Sequence, residues 1–253
     1  MVTIDPNKIK TRQELLRVAK KDLEGKTLLQ IAKWIGDSDV IQRVNSKAAV
    51  GYVIEEGYFG VRKNSTAKPD LEKLGVEIKT SPLKQGKDGK LRVKEPLSLN
   101  IINYTEESKN RTLKESSLYK KNHRVLFVWY IHDSSKKRSE YKIKYVFLWE
   151  MSSRVLLELA PDYEKILRKI KAGRAHEIHQ SDHERLTLCP KHGGTFRDPN
   201  DKKSKVKQPF SNKPAEIRAF RLKNSYMNQV IYRYLSKERP GEVHNFVSPK
   251  KNN

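Results

Sequence analysis

Apolar residues recur at helical spacing near the start of the chain, where Leu15, Leu16, Val18, Ala19 and Leu23 fall close to one stripe. Thr11 before them suits a cap, so a helix is expected over residues 11–24. A second helix is expected from Ser46 to about Glu56, with Ala49, Val50, Val53 and Ile54 on its apolar side and Gly57 and Gly60 marking its end. The period then shortens to two. Leu74 to Thr80 alternates, with Val76 and Ile78 facing one way and Glu77 and Lys79 the other. QGKDGK, with its Asp88 and Gly89 pair, reads as a hairpin turn. Leu97 to Tyr104, Arg124 to Ile131 and Tyr141 to Trp149 are rich in β-branched and aromatic residues and are expected as further strands of one mixed sheet. A helix is expected from Pro161 to Ala172, stopped by Gly173, followed by short strands at Leu186 to Leu188 and Arg218 to Lys223. In the second of these, Phe220 and Leu222 would be buried while Arg221 and Lys223 are presented together. Residues 226–237 complete the pattern as a helix, with Met227, Val230, Ile231, Tyr234 and Leu235 on one side.

This alternation of helices and strands predicts an α/β fold. No internal repeat or long linker interrupts it, so the expectation is a single domain over residues 1–253. At 253 residues, with 36% hydrophobic and 33% charged positions, the chain can bury a sizeable core. No apolar run reaches the roughly 20 residues of a membrane helix, and the N-terminal segment lacks the apolar stretch of a signal peptide. A single cysteine, Cys189, excludes an intrachain disulfide and suits the reducing cytoplasm. The charge balance changes the picture most. Fifty-three Lys and Arg against 30 Asp and Glu give +23, so a polyanion, with nucleic acid foremost, is the expected partner. Some of the excess sits in DPNDKKSKVKQP and the terminal SPKKNN, which read as flexible lysine-rich segments.

Chemistry is concentrated in the run PDLEKLGVEIKT. Asp70, followed by Glu77 and Lys79 on one face of a strand, places two carboxylates and an ammonium around one point. Hard Mg²⁺ favours oxygen ligands and keeps several waters, so two carboxylates with phosphate and water suit it. Charged and apolar residues also alternate in any half-buried strand, so Glu-x-Lys alone is weak. Pro69, Asp70, the short spacing and the positive charge of the chain strengthen it. Glu56, at the end of the second expected helix, would add a third carboxylate. His176, His179, His183, Cys189 and His192 form a looser cluster whose spacing does not match a structural zinc site.

Taken together, GYVIEEGYFG and KPDLEKLGVEIKTSPL resemble the MutH-like endonucleases, a family with a mismatch-repair branch and a Sau-type GATC restriction branch. EPLSLNIINY, GRAHEI, LTLCPK and IRAFRLKNSYM carry the resemblance further toward the restriction branch, from about residue 40 to residue 235. The resemblance implies a PD-(D/E)xK restriction-endonuclease-like fold, a central mixed β-sheet flanked by helices. Its catalytic part would span about 40–150 and its DNA-recognition part about 173–237. It implies a Mg²⁺-dependent endonuclease that cuts duplex DNA at GATC, before the G, leaving a 5′-phosphate and a four-base overhang. Glu56, Asp70, Glu77 and Lys79 match the family's catalytic positions, the three carboxylates also as metal ligands. Lys121, beside Lys120, matches a second functional lysine, and Lys191 of the CPK run matches a lysine that contacts DNA.

Two departures bear on substrate choice. Arg221 stands where the repair enzyme has a tyrosine that helps sense adenine methylation, and Cys189 replaces a basic residue beside the recognition lysine. The first favours a restriction enzyme indifferent to the adenine methyl group. Arg221, Lys223 and Lys191 are candidates for pairing with guanine N7 and O6, or for phosphate contact. Two other readings remain: a repair nickase directed by GATC methylation, and a non-catalytic GATC-binding module. The restriction branch continues with a second, related domain, so the chain is expected to be either an isolated catalytic domain or a compact enzyme. Two cuts at a palindrome need two active sites, used in sequence or through a dimer on DNA.

Overall fold

The computed structural model describes residues 8–61, 68–191 and 205–249. Along the chain run α1 (Arg12–Leu23), α2 (Leu28–Ile35), α3 (Ser38–Gln42) and α4 (Ala49–Gly51), the last continuing as a π-helix, Tyr52–Tyr58. Strands β1 (Glu77–Gln85), β2 (Leu91–Val93) and β3 (Leu97–Ile101) follow, then α5 (Tyr104–Ser108), α6 (Ser117–Asn122), β4 (Arg124–Ile131) and β5 (Ile143–Glu150). The remainder comprises α7 (Ser153–Lys171), β6 (Leu186–Pro190), β7 (Lys205–Gln208), β8 (Ser211–Glu216), β9 (Arg218–Leu222) and α8 (Asn224–Glu238). The chain divides into two compact units: residues 1–95, 124–150 and 235–247 form one, and residues 96–123, 151–234 and 248–253 the other.

The first unit is built on a four-stranded sheet of order β2-β1-β4-β5, in which β1 runs parallel to β4 and the other pairs are antiparallel. Ile78, Leu126, Val128 and Val146 on one face join a core with Leu15, Ala19 and Leu23 of α1 and Ile31 and Ala32 of α2. Thr11 caps α1 by accepting from the Glu14 amide, as its sequence predicts. Helix α2 was not foreshadowed by a long stripe, yet Thr27 and Gln30 form a reciprocal capping box and Gly36 closes it in the left-handed region. The helix expected over 46–56 begins three residues later and widens into the π-helix. Gly57 does not end it. A Cβ there would lie 3.1 Å from Ile35 Cδ1 and 3.2 Å from Val40 Cγ2, so glycine permits the close approach of α2 and α3. Tyr58 then donates to Asp22 at 2.8 Å and locks the π-helix to α1; burial, reinforced by that carboxylate, pushes the phenol pKa well up.

The second unit holds a three-stranded sheet of order β3-β9-β6 and the β7-β8 hairpin. The strand expected over 97–104 stops at Ile101 and pairs with β9, so it does not belong to the sheet of β1 and β4. Asn103 ends it by capping α5. Helix α7 begins eight residues before Pro161, which it carries in its interior. The proline removes one backbone hydrogen bond, but Val155, Leu159, Tyr163, Ile166 and Ile170 are all buried along one side and hold the helix together. Asp162, 3% exposed, accepts from the amides of Glu184, Arg185 and Leu186 and fixes the start of β6. The lysine-rich stretch read as flexible contains β7; its residues before Lys205 lie outside the described ones.

Gly173 ends α7 at φ +69°, and a Cβ on it would collide with the Phe210 carbonyl oxygen of the hairpin turn. Gly173→Ala should therefore lower stability by about 2 kcal/mol or more in chemical denaturation. An unchanged midpoint would show that the hairpin does not press on the helix end.

Candidate active site

The site grows from a tight return of the chain. Leu71 and Val76 bond to each other through both backbone amides, at 2.9 and 3.3 Å, and Gly75 takes φ +64° to close the loop between them. That pairing sets Asp70 beside Glu77 at the start of β1. The Asp70 amide donates to Glu77 Oε2 at 3.1 Å, and the Ile78 amide donates to Asp70 Oδ2 at 3.0 Å. Each carboxylate thus holds the backbone of the other segment. Glu77 Oε1 receives the Lys79 ammonium at 2.5 Å.

Parallel pairing gives this cluster its setting. Glu77 pairs with Val125 and Lys79 with Phe127, so both point to the face of the sheet that carries Phe127, Phe147 and Trp149. Glu77 is 1% exposed, although an acidic residue on a half-buried strand would ordinarily face water. Its charge is balanced by the half-buried Lys79. Burial opposes the charge of Lys79, but Glu77, which also hydrogen-bonds it, and then Asp70 and Glu55 outweigh that and raise its pKa above the usual lysine value.

Beside the expected Glu56 stands Glu55, whose charge contributes to the raised pKa of Lys79. Both lie half-buried on the π-helix. Glu55 Oε1 and the Thr80 hydroxyl of β1 lie 3.6 and 3.8 Å from the point where a Cβ on Gly51 would stand, so both side chains border that glycine. The two consecutive glutamates were visible in the sequence, but the widened helix that carries them was not.

Among the described residues, no three His, Cys, Asp or Glu side chains converge as a metal-holding group. The carboxylates brought together are Asp70 and Glu77. In the expected histidine cluster, His176 Nδ1 is 2.9 Å from Gln208 Nε2 and His183 Nδ1 is 3.0 Å from the His179 carbonyl oxygen; His192 lies outside the described residues.

The remaining candidates belong to the second unit. Lys121 is 8% exposed on α6, beside Asn122, which donates to Asn100 and to the Leu118 carbonyl. Lys191 follows β6, its amide bound to the Ile217 carbonyl at 2.8 Å. Arg221 is half-buried at the middle of the three-stranded sheet. Strand β9 ends at Leu222, one residue short of expectation, and the Lys223 ammonium donates to the His183 carbonyl. Arg221 and Lys223 are therefore not presented as a pair by one strand.

Residues 59–162, which include Asp70, Glu77, Lys79 and Lys121, match the family model described as DNA mismatch repair enzyme MutH. DNA mismatch repair protein MutH of Shewanella amazonensis is 30% identical over 180 residues, 70% of this chain and 76% of that protein. The chain belongs to the MutH family. The homologue from Pasteurella multocida is 25% identical over 72% of this chain and 78% of its own length. A relative of another kind, the type II restriction enzyme Sau3AI of Staphylococcus aureus, is 33% identical over 217 residues, 85% of this chain. The MutH family chain spans 41% of that enzyme's length.

In Glu77→Gln, the Lys79 ammonium loses the partner that most raises its pKa while remaining buried. Its midpoint, followed through the Nζ resonance by NMR, should fall. A midpoint equal to that of the parent chain would show that Glu77 does not hold the charge.

Proposed function

We propose that this chain is a Mg²⁺-dependent endodeoxyribonuclease that cuts duplex DNA at GATC, before the G, in the manner of a type II restriction enzyme. The observation that carries the reading is the Asp70, Glu77 and Lys79 cluster, two interlocked carboxylates and a charged lysine, in a chain of the MutH family with a restriction enzyme among its relatives. The same reading makes the first unit a PD-(D/E)xK core, and it places the enzyme in the cytoplasm, where the buried Cys189 stays reduced. No helix among the described residues is long and apolar enough to cross a membrane.

The donor chemistry fits a hard cation. Asp70 and Glu77 are oxygen ligands on neighbouring backbone segments, two protein carboxylates of the number Mg²⁺ commonly takes when water and phosphate supply the rest. Glu56, or Glu55 in its place, would act as a further ligand or position the other two. When bound, Mg²⁺ would neutralise charge growing on the phosphodiester and acidify the attacking water. Lys79, kept protonated by its carboxylates, acts as a hydrogen-bond donor that orients the water and offsets negative charge on phosphate. Lys121 adds a cation for the phosphate. Attack in line with the departing 3′ oxygen forms a new P–O bond to water and breaks the P–O3′ bond, leaving a 5′-phosphate and a 3′-hydroxyl. Lys191, Arg221 and Lys223 serve recognition, and a dimer on DNA, or two successive cuts, completes the break at a palindrome. The +23 charge supplies the nonspecific part of binding.

One observation favours a second reading, a repair nickase directed by GATC methylation: the chain covers more than three-quarters of the MutH relatives. Incubation with Mg²⁺ and GATC plasmids separates the two. Linear fragments from unmethylated and adenine-methylated plasmid alike are the expected result, abolished by Glu77→Ala and lost on chelation. Nicking confined to unmethylated DNA would transfer the chain to the repair reading, and binding without any cut would overturn both. Glu55→Gln should slow cleavage more than Glu56→Gln, by about 100-fold against about 10-fold or less; the reverse order would assign the third carboxylate to Glu56.

A further inference from the structure

We infer that Thr187 is a positioning residue that orients the Arg221 guanidinium toward a base edge of the bound duplex. The inference rests on the nuclease reading and names how the second unit reads its site.

Thr187 and Arg221 are directly opposed across the β6-β9 pair, so their side chains rise from the same face of the sheet. Thr187 is 1% exposed, and its hydroxyl has no hydrogen-bond partner among the described residues. Arg221 Nε is likewise buried without a partner. Buried polar groups are nearly always bonded, and two orphans on paired residues are complementary: a guanidinium N–H donor beside a hydroxyl that accepts. Neither atom is open to water or to a ligand, so each is the natural partner of the other. A bond from Arg221 Nε–H to Thr187 Oγ1 would satisfy both.

Neighbouring side chains limit where the guanidinium can go. On the far side of β9, Ser98 is also opposed to Arg221, and its hydroxyl reaches Cys189 Sγ at 3.8 Å. Cys189 is opposed to Ala219, whose methyl group leaves room for that contact. With Nε–H taken by Thr187, the plane of the guanidinium is set and its two terminal nitrogens remain as a fork. Such a fork matches two adjacent acceptors, as on the N7 and O6 edge of guanine. A planar fork with one fixed orientation discriminates among base edges, whereas a freely turning cation would serve any phosphate.

The test compares binding of the full chain to a short GATC duplex and to a duplex with that site scrambled, in metal-free buffer. Thr187→Val keeps the shape of the side chain and removes only the hydroxyl. It should reduce the preference for GATC about tenfold while leaving the thermal midpoint unchanged or higher, since the hydroxyl has no bond to lose in the free protein. Thr187→Ser should restore the preference, and in an Arg221→Gln background Thr187→Val should cost nothing more. A lower thermal midpoint with the preference intact would overturn the inference and make the hydroxyl a structural group. Equal loss on both duplexes would overturn it too, by assigning Arg221 to phosphate. Wild-type cleavage at GATC beside either outcome would leave the nuclease reading standing, while a wild-type chain with no preference for GATC would overturn that specificity and this inference together.

Discussion

A carboxylate buried at the start of a central strand is the constraint around which the first unit is arranged. Glu77 would carry a severe desolvation penalty were it unpaired, and its surroundings answer each oxygen. Oε2 takes the Asp70 amide and Oε1 takes the Lys79 ammonium. To supply the first, the chain must turn back on itself between Leu71 and Val76. To supply the second, β1 must keep its alternation while parallel to β4, so that residues 77 and 79 share a face. A parallel pair needs a long crossover, and one segment of the second unit, residues 96–123, lies within the connection from β2 to β4.

Much of this was legible in the sequence. Residues Arg124–Ile131 form a strand with the expected bounds because a run of large β-branched and aromatic residues has few other uses. Strand periodicity put Glu77 and Lys79 on one face, while Asp70 joined them through the hairpin reading and the family resemblance. Sheet membership did not follow. Residues 97–101 alternate apolar and polar positions as any half-buried strand does, and only the pairing with β9 sends them to the second sheet. Pro161 misled for a related reason: proline is a good first residue of a helix, and its local preference was overridden by the long buried side of α7. The π-helix that carries Glu55 and Glu56 was invisible because helical periodicity assumes 3.6 residues per turn, which it does not obey.

The recognition candidates show how charge counting can mislead. Lysine and arginine look equivalent in a composition, yet the Lys223 ammonium gives one of its three donors to a backbone carbonyl while Arg221 keeps an unmatched donor in the middle of its sheet. Asp162 illustrates the converse. It is one acidic residue among thirty in a basic chain, and it organises the strand that carries Thr187 and Cys189 through three amides.

The π-helix has a bearing on how this site can change. A π-turn differs from an α-turn by a single inserted residue, so deleting one position within Tyr52–Tyr58 would return the segment to ordinary helical geometry and rotate its later side chains by about 100°. In a segment with a single acidic residue such a slip would carry that residue to another face. Here a second glutamate follows the first, and the segment retains an acid in either register. The doubled glutamate therefore keeps a carboxylate in this segment whichever register the turn adopts.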